Sequence, residues 1–126
     1  MAGKKILLIE DEKVLIELYK EGFSEAGFEM SAVLSAEEGL EAARKEKPDL
    51  IILDILLPKE NGIFFLEKLK ADPKIRNIPV VVLSNLDDPE TKKKAFQLGV
   101  KDYLIKTNYA PHELIEKIKK LFPRKS

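Results

Sequence analysis

Cysteine and tryptophan are absent from the chain, and histidine and glutamine occur once each, as His112 and Gln97. Without cysteine there is no disulfide framework, no thiolate metal site and no thiol nucleophile, and one histidine cannot build a histidine-rich zinc centre. Long hydrophobic runs are missing as well. The first apolar stretch, Ile6 to Ile9, is far too short for a secretory leader or a membrane span, so a reducing cytoplasmic setting with no membrane partner is expected. A chain of 126 residues is still long enough to bury a core without covalent staples. One domain over residues 1–126 is expected, with its core between about residues 5 and 122.

Net charge is also missing, since 22 Lys and Arg balance 22 Asp and Glu. The balance is not local. Residues 1–60 carry 14 acids against 8 bases, whereas residues 87–126 carry 6 against 10, a pattern that hints at an acidic site and a basic face. Most of these charges read as solvated helix faces with partners four residues away. The basic final segment has no interleaved aromatics, so direct nucleic-acid binding is not expected.

What is present is an alternation of short apolar runs with helical patterns. Leu50-Ile-Ile-Leu-Asp54 is bounded by Pro48-Asp49 and Pro58 and reads as a strand buried on both faces, ending on a carboxylate. Lys5 to Glu10 and Pro79 to Ser84 have the same character, and Lys101 to Lys106 is the last strand. Phe28 to Leu34 suits an edge strand, with Met30, Ala32 and Leu34 on one side and Phe28 and Val33 breaking the alternation. Between the strands, Val14, Leu15, Leu18, Gly22 or Phe23, and Ala26 recur at helical spacing up to a terminating Gly27. Ser35-Ala-Glu-Glu38 predicts a capping box opening a helix that packs Ala36, Leu40 and Ala43 on the sheet. Gly62 to Ala71 carries Phe65, Leu66 and Leu69 and stops at Asp72-Pro73. Asp88-Pro89-Glu90 opens a weakly amphipathic helix that should be the most loosely held. Pro111 begins the last helix, with Leu114, Ile115, Ile118, Leu121 and Phe122 as its stripe, His112 solvated, and a basic tail from Pro123 to Ser126. Five such alternations call for an α/β fold with a parallel sheet covered by helices on both faces.

In an open parallel sheet the C-terminal strand edge is where ligands bind. This topology would deliver Glu10, Asp11, Asp54, Ser84 and Lys106 to that one edge. Three carboxylates forced together need a counter-charge. Lys106 can offset one, and a divalent ion with all-oxygen ligation, Mg²⁺ in preference to Zn²⁺, would offset the rest. The set suits phosphoryl chemistry. Asp54 would be the nucleophile and acceptor, Mg²⁺ would bridge Asp11, Asp54 and one phosphoryl oxygen, and Ser84 and Lys106 would each take another oxygen.

These landmarks, Glu10-Asp11, Asp54 with Pro58 and Gly62, Ser84, Tyr103 and Lys106, resemble the receiver domain of two-component response regulators, of the chemotaxis-regulator kind. The likeness covers Lys5 to Phe122. It implies a flavodoxin-like, doubly wound five-stranded sheet of order 2-1-3-4-5, with two helices on one face and three on the other. It also implies that Asp54 accepts a phosphoryl group from the phosphohistidine of a sensor histidine kinase or phosphotransfer protein, with Mg²⁺ required. By the same resemblance Asp11 is the main metal ligand, Glu10 an outer ligand acting through water, and Leu56 a ligand through its backbone carbonyl. Ser84 is the hydroxyl that moves to the phosphoryl group, Tyr103 the aromatic that turns inward behind it, and Lys106 the phosphate-binding lysine. The responding face would run from about Asp88 to Leu121 and be read by an unnamed protein partner.

Three positions depart from the family pattern. Asn85 follows Ser84 where a small residue is usual, Thr107 follows Lys106 where a proline after a cis bond is common, and Leu56 and Leu86 place two apolar groups beside the acceptor. The two leucines should hinder an attacking water and prolong the phosphorylated state. Two other readings compete. An aspartate-nucleophile phosphatase needs an acid/base carboxylate two residues past the nucleophile, where Leu56 stands. A receiver-like binding module that takes no phosphate is opposed by the intact acidic group, Ser84 and Lys106. The expectation is therefore a signalling phosphoacceptor, not a turnover enzyme. Because the sequence ends at Ser126 just after the final helix, output through protein contacts is expected, for a free-standing receiver or one taken from a longer regulator; homodimerisation on phosphorylation is left open.

Overall fold

The computed structural model describes residues 3–122, which form one five-stranded parallel sheet of order β2-β1-β3-β4-β5 with helices on both faces. The strands are β1 (Lys5–Ile9), β2 (Glu29–Val33), β3 (Leu50–Leu53), β4 (Val80–Ser84) and β5 (Asp102–Ile105). The helices are α1 (Lys13–Glu25), α2 (Ala36–Glu46), α3 (Gly62–Ala71), α4 (Pro89–Gln97) and α5 (Pro111–Lys119). A short 3₁₀ turn over Lys106–Asn108 follows β5. The doubly wound, flavodoxin-like architecture and its strand order are as expected from the sequence.

The three most apolar strands, β1, β3 and β4, occupy the centre, where both faces of each strand are covered. Side chains alternate between two cores. Leu7, Ile9, Ile51, Leu53, Val80 and Val82 pack with α2, α3 and α4, while Ile6, Leu8, Leu50, Ile52, Val81 and Leu83 pack with α1 and α5. The register Ile9↔Leu53, with Ile9 also opposite Val33, brings the ends of β1 and β3 level, so the loops after them emerge side by side.

Several local expectations change in the folded chain. Phe28 does not break the alternation of the edge strand: it is buried on the same face as Met30 and Ala32, because positions two apart share a face, and Val33 packs on the opposite core. Leu34 lies beyond the strand and is exposed. In α1 the buried side chains are Tyr19 and Phe23, with Leu15, Ile16 and Ala26 beside them. Val14 and Leu18 face solvent, Val14 at 79 % exposure. Gly22 belongs to the seam with α5, since a Cβ there would lie 2.6 Å from Ile115 Cδ1.

The capping pattern of α2 is also shifted. Ser35 Oγ accepts the Glu38 N–H, but Glu38 Oε1 accepts the N–H of Leu34 rather than that of Ser35. Asp88 caps α4 through the Thr91 N–H as the sequence predicts, and Ala95 is that helix's only buried residue. Helix α5 ends at Lys119, with Leu114, Ile115 and Ile118 buried, His112 exposed, Leu121 largely exposed and the Phe122 ring 5.3 Å from that of Phe28. The predicted basic tail, Pro123 to Ser126, lies outside the described residues.

Candidate functional site

Strand β1 ends at Ile9 and delivers Glu10, Asp11 and Glu12 before α1 begins; β3 ends at Leu53 and delivers Asp54; β4 ends in Ser84; and Lys106 follows β5. Glu10, Asp54, Ser84 and Lys106 are the buried polar or charged residues of the described chain, and all four lie at this one edge. Burying so many polar groups is tolerable only if each is paired.

Lys106 supplies the pairing. Its Nζ donates to Glu10 Oε1 at 2.7 Å and to Asp54 Oδ2 at 2.9 Å, and stands 3.7 Å from Glu12 Oε1. The remaining carboxylate oxygens face backbone: Glu10 Oε2 accepts the Glu12 N–H at 3.1 Å, and Asp54 Oδ1 accepts the Leu56 N–H at 3.0 Å. Burial alone would lower the ammonium's pKa, but its hydrogen bonds to Glu10 and Asp54 and their negative charges outweigh this and hold Lys106 above the ordinary lysine value. For Glu10 burial dominates, and although Lys106 and the Glu12 N–H oppose it, its pKa lies above the usual carboxylate value.

Asp11, unlike Glu10 and Asp54, is exposed. One carboxylate oxygen from each of Glu10, Asp11 and Asp54 falls within 4.8 Å of the others, a donor set made only of oxygen. Hard oxygen ligands with one open side fit Mg²⁺ and offer nothing to a metal that prefers nitrogen or sulfur.

The hydroxyl of Ser84 is fully buried and accepts the Leu86 N–H at 3.3 Å. Tyr103 is buried beside it, its hydroxyl donating to the carbonyl of Leu86 at 2.7 Å. Both side chains therefore grip the same residue of the loop between β4 and α4. Burial, together with the charges of Asp54, Asp88 and Asp87, pushes the Tyr103 phenol up to about 12. Lys92 Nζ lies 5.9 Å from the centre of the Tyr103 ring and also pairs with Asp87. The lysine-rich start of α4, which offers nothing to the core, is thus tied to this loop by charge.

Among the positions that depart from the family pattern, Asn85 is exposed and the Lys106–Thr107 bond is trans. Leu56 is 52 % exposed beside the acceptor carboxylate, and Leu86 packs partly buried against the core of α2, α3 and α4. Sequence reasoning did not assign roles to Glu12, to the Leu86 carbonyl or to Lys92. Glu12 carried a signal, as the third acid of the Glu10-Asp11-Glu12 run; the other two depend on contacts between β4, α4 and β5.

Residues 6–119 match the family model of the response regulator receiver domain. The chain belongs to that family. It is a receiver domain of two-component signalling. The receiver is 32 % identical over 122 residues to the alkaline phosphatase synthesis transcriptional regulatory protein PhoP of Bacillus subtilis, covering 97 % of this chain and 50 % of PhoP. It spans about half the length of the curated relatives it matches. Among solved structures it resembles the phosphorylated cyanobacterial phytochrome response regulator RcpA, with 32 % identity and a TM-score of 0.79 over 95 % of this chain and 91 % of RcpA. It also resembles the Mn²⁺-bound form of response regulator Rcp1, with 27 % identity and a TM-score of 0.82 over 93 % and 92 % of the two chains. No helix among the described residues is long and apolar enough to cross a membrane.

Proposed function

We propose that this receiver accepts a phosphoryl group on Asp54 from the phosphohistidine of a sensor kinase or phosphotransfer protein, in a Mg²⁺-dependent reaction. The observation that carries the reading is the placing of Asp54 between a buried ammonium at 2.9 Å and two further carboxylates whose oxygens lie within 4.8 Å. The phosphorylated relative RcpA and the Mn²⁺-bound relative Rcp1 support it. In the transfer an Asp54 carboxylate oxygen forms the new O–P bond while the donor's P–N bond breaks, its electron pair leaving on the imidazole nitrogen, which then takes a proton. Asp11, Asp54 and the Leu56 carbonyl would hold the metal, with Glu10 acting through water. When bound, the cation supplies positive charge against the carboxylates and the phosphoryl oxygens.

The protein's own groups do the positioning. Lys106 fixes the acceptor before transfer and is already charged, so it can follow the charge onto a phosphoryl oxygen. The Ser84 hydroxyl exchanges the Leu86 N–H for another phosphoryl oxygen, and that exchange loosens the loop which Tyr103 holds from behind. Helix α4, β5 and α5 then carry the change to a protein partner. Leu56 and Leu86 restrict water at the acyl phosphate and give it a long life; replacing Leu56 by Asn should shorten that life severalfold, and unchanged decay of the phosphorylated species would refute the role.

The intact mass decides the main reading after incubation with a small acyl phosphate and Mg²⁺, with Asp54→Ala in parallel. A gain of one phosphoryl group in the native receiver alone is the expected result. No gain in a folded native sample would replace it by the reading of a binding module that takes no phosphate.

A further inference from the structure

Glu12 occupies the N-cap position of α1, but its side chain makes no capping hydrogen bond. That position favours side chains that accept an N–H of the first turn. The Glu12 carboxylate instead turns to Lys106, with Oε1 at 3.7 Å from Nζ, while its own backbone N–H is fixed by Glu10 Oε2. An ammonium has three donors. Two are taken by Glu10 and Asp54, whose side chains are 1 % and 4 % exposed, and the remaining side of Nζ is faced by Glu12, whose side chain is 55 % exposed. Of the three acids around Lys106, Glu12 alone can swing out into water without leaving a buried charge behind.

We propose that Glu12 is a positioning residue for the transfer: its carboxylate holds the open side of Lys106 until an incoming phosphoryl oxygen displaces it. This rests on the reading of Asp54 as acceptor and names a competitor for the lysine that serves it. Glu12 thereby slows phosphorylation, because each donor anion must break the Glu12–Lys106 contact before Lys106 can engage it. The contact is partly exposed, so it is of the size of a surface ion pair, and its removal is worth about a threefold change in rate.

The test compares Glu12→Gln, which removes the charge, with Glu12→Asp, which keeps the charge on the same backbone but is one methylene too short to maintain the contact. Rates of Asp54 labelling by the small acyl phosphate, measured below saturation, should rise about threefold in both variants. A helix-capping effect cannot produce this, because aspartate is the better cap and glutamine is not, so the two variants should move α1 stability in different directions. A rate that rises for Gln but not for Asp would assign the effect to general repulsion of the anion and overturn the proposal, as would no change in either. A second readout needs neither donor nor metal. In ¹⁵N-labelled, metal-free receiver, the Lys106 ammonium protons should exchange with water faster in both variants than in the native protein, and equal exchange in all three would overturn the proposal. If the native receiver takes no label at all, the acceptor reading fails by itself, and the exchange experiment still decides whether Glu12 holds Lys106.

Discussion

Lys106 is the residue on which the site's electrostatics turn, because one ammonium is shared by two buried carboxylates at hydrogen-bond distance. Removing it while leaving both acids in place should destabilise the fold by about 3 kcal/mol or more. Lys106→Met, followed by urea unfolding, checks this, and a loss below about 1 kcal/mol would show that the acids find other relief. Tyr103 offers a test by pH. Its phenol is raised from 10.0 to about 12, so the folded chain keeps this proton where the unfolded chain has lost it. The corresponding stability is complete below about pH 10 and is lost as pH rises through about 12. Ultraviolet titration should therefore show a late tyrosine step that is missing in Tyr103→Phe, and the same variant should lose about 1 kcal/mol with its hydrogen bond to Leu86.

At the scale of elements, α3 and α4 differ in how firmly they are held. Helix α3 starts at Gly62, where a Cβ would lie 2.7 Å from the Asp54 carbonyl oxygen and 2.8 Å from Ile55 Cα. Ordinarily a glycine replaced by alanine within a helix gains up to about 1 kcal/mol. Here Gly62→Ala must push the helix start away from the acceptor loop, so it should lose stability and slow labelling of Asp54; a stabilised variant with native labelling would contradict this. Helix α4 buries only Ala95, leaves Phe96 49 % exposed, and relies on the Asp88 cap. Its amides should exchange fastest among the helices, and Asp88→Ala should speed that exchange further. The Asp88 carboxyl lies below its ordinary value of 3.8 because Thr91 donates to it, so the cap's contribution is present above about pH 4 and disappears as pH falls below that.

For the whole molecule, the parallel sheet brings residues from positions 10, 54, 84 and 106 to one edge, and the like charges gathered there oppose folding until they are offset. Mg²⁺ should consequently raise the midpoint of thermal unfolding, by as much as about 2.7 kcal/mol of added stability at a hundredfold excess over Kd. Asp11→Asn should remove most of that response while leaving the metal-free midpoint equal or higher, since Asp11 is the exposed member of the group. An Asp11→Asn protein with the native Mg²⁺ response would exclude Asp11 as a ligand.

The amino-acid sequence alone determined the alternation of strands and helices, the central place of β1, β3 and β4, and the strand-end positions of Asp54, Ser84 and Lys106, because apolar run length and turn residues are local signals. It placed Leu15, Phe23 and Ala26 correctly on the buried side of α1, but it also put Val14 and Leu18 there and left out Tyr19. Val14 and Leu18 fit a helical stripe as well as Tyr19 and Phe23 do, and only the direction from which the sheet and α5 approach selects between them. Likewise the acids at positions 10 to 12 look alike in sequence. Tertiary structure alone made Glu10 a buried partner of Lys106, Asp11 an exposed acid and Glu12 an exposed acid turned toward Lys106, because their surroundings depend on where β3 and β5 end beside β1.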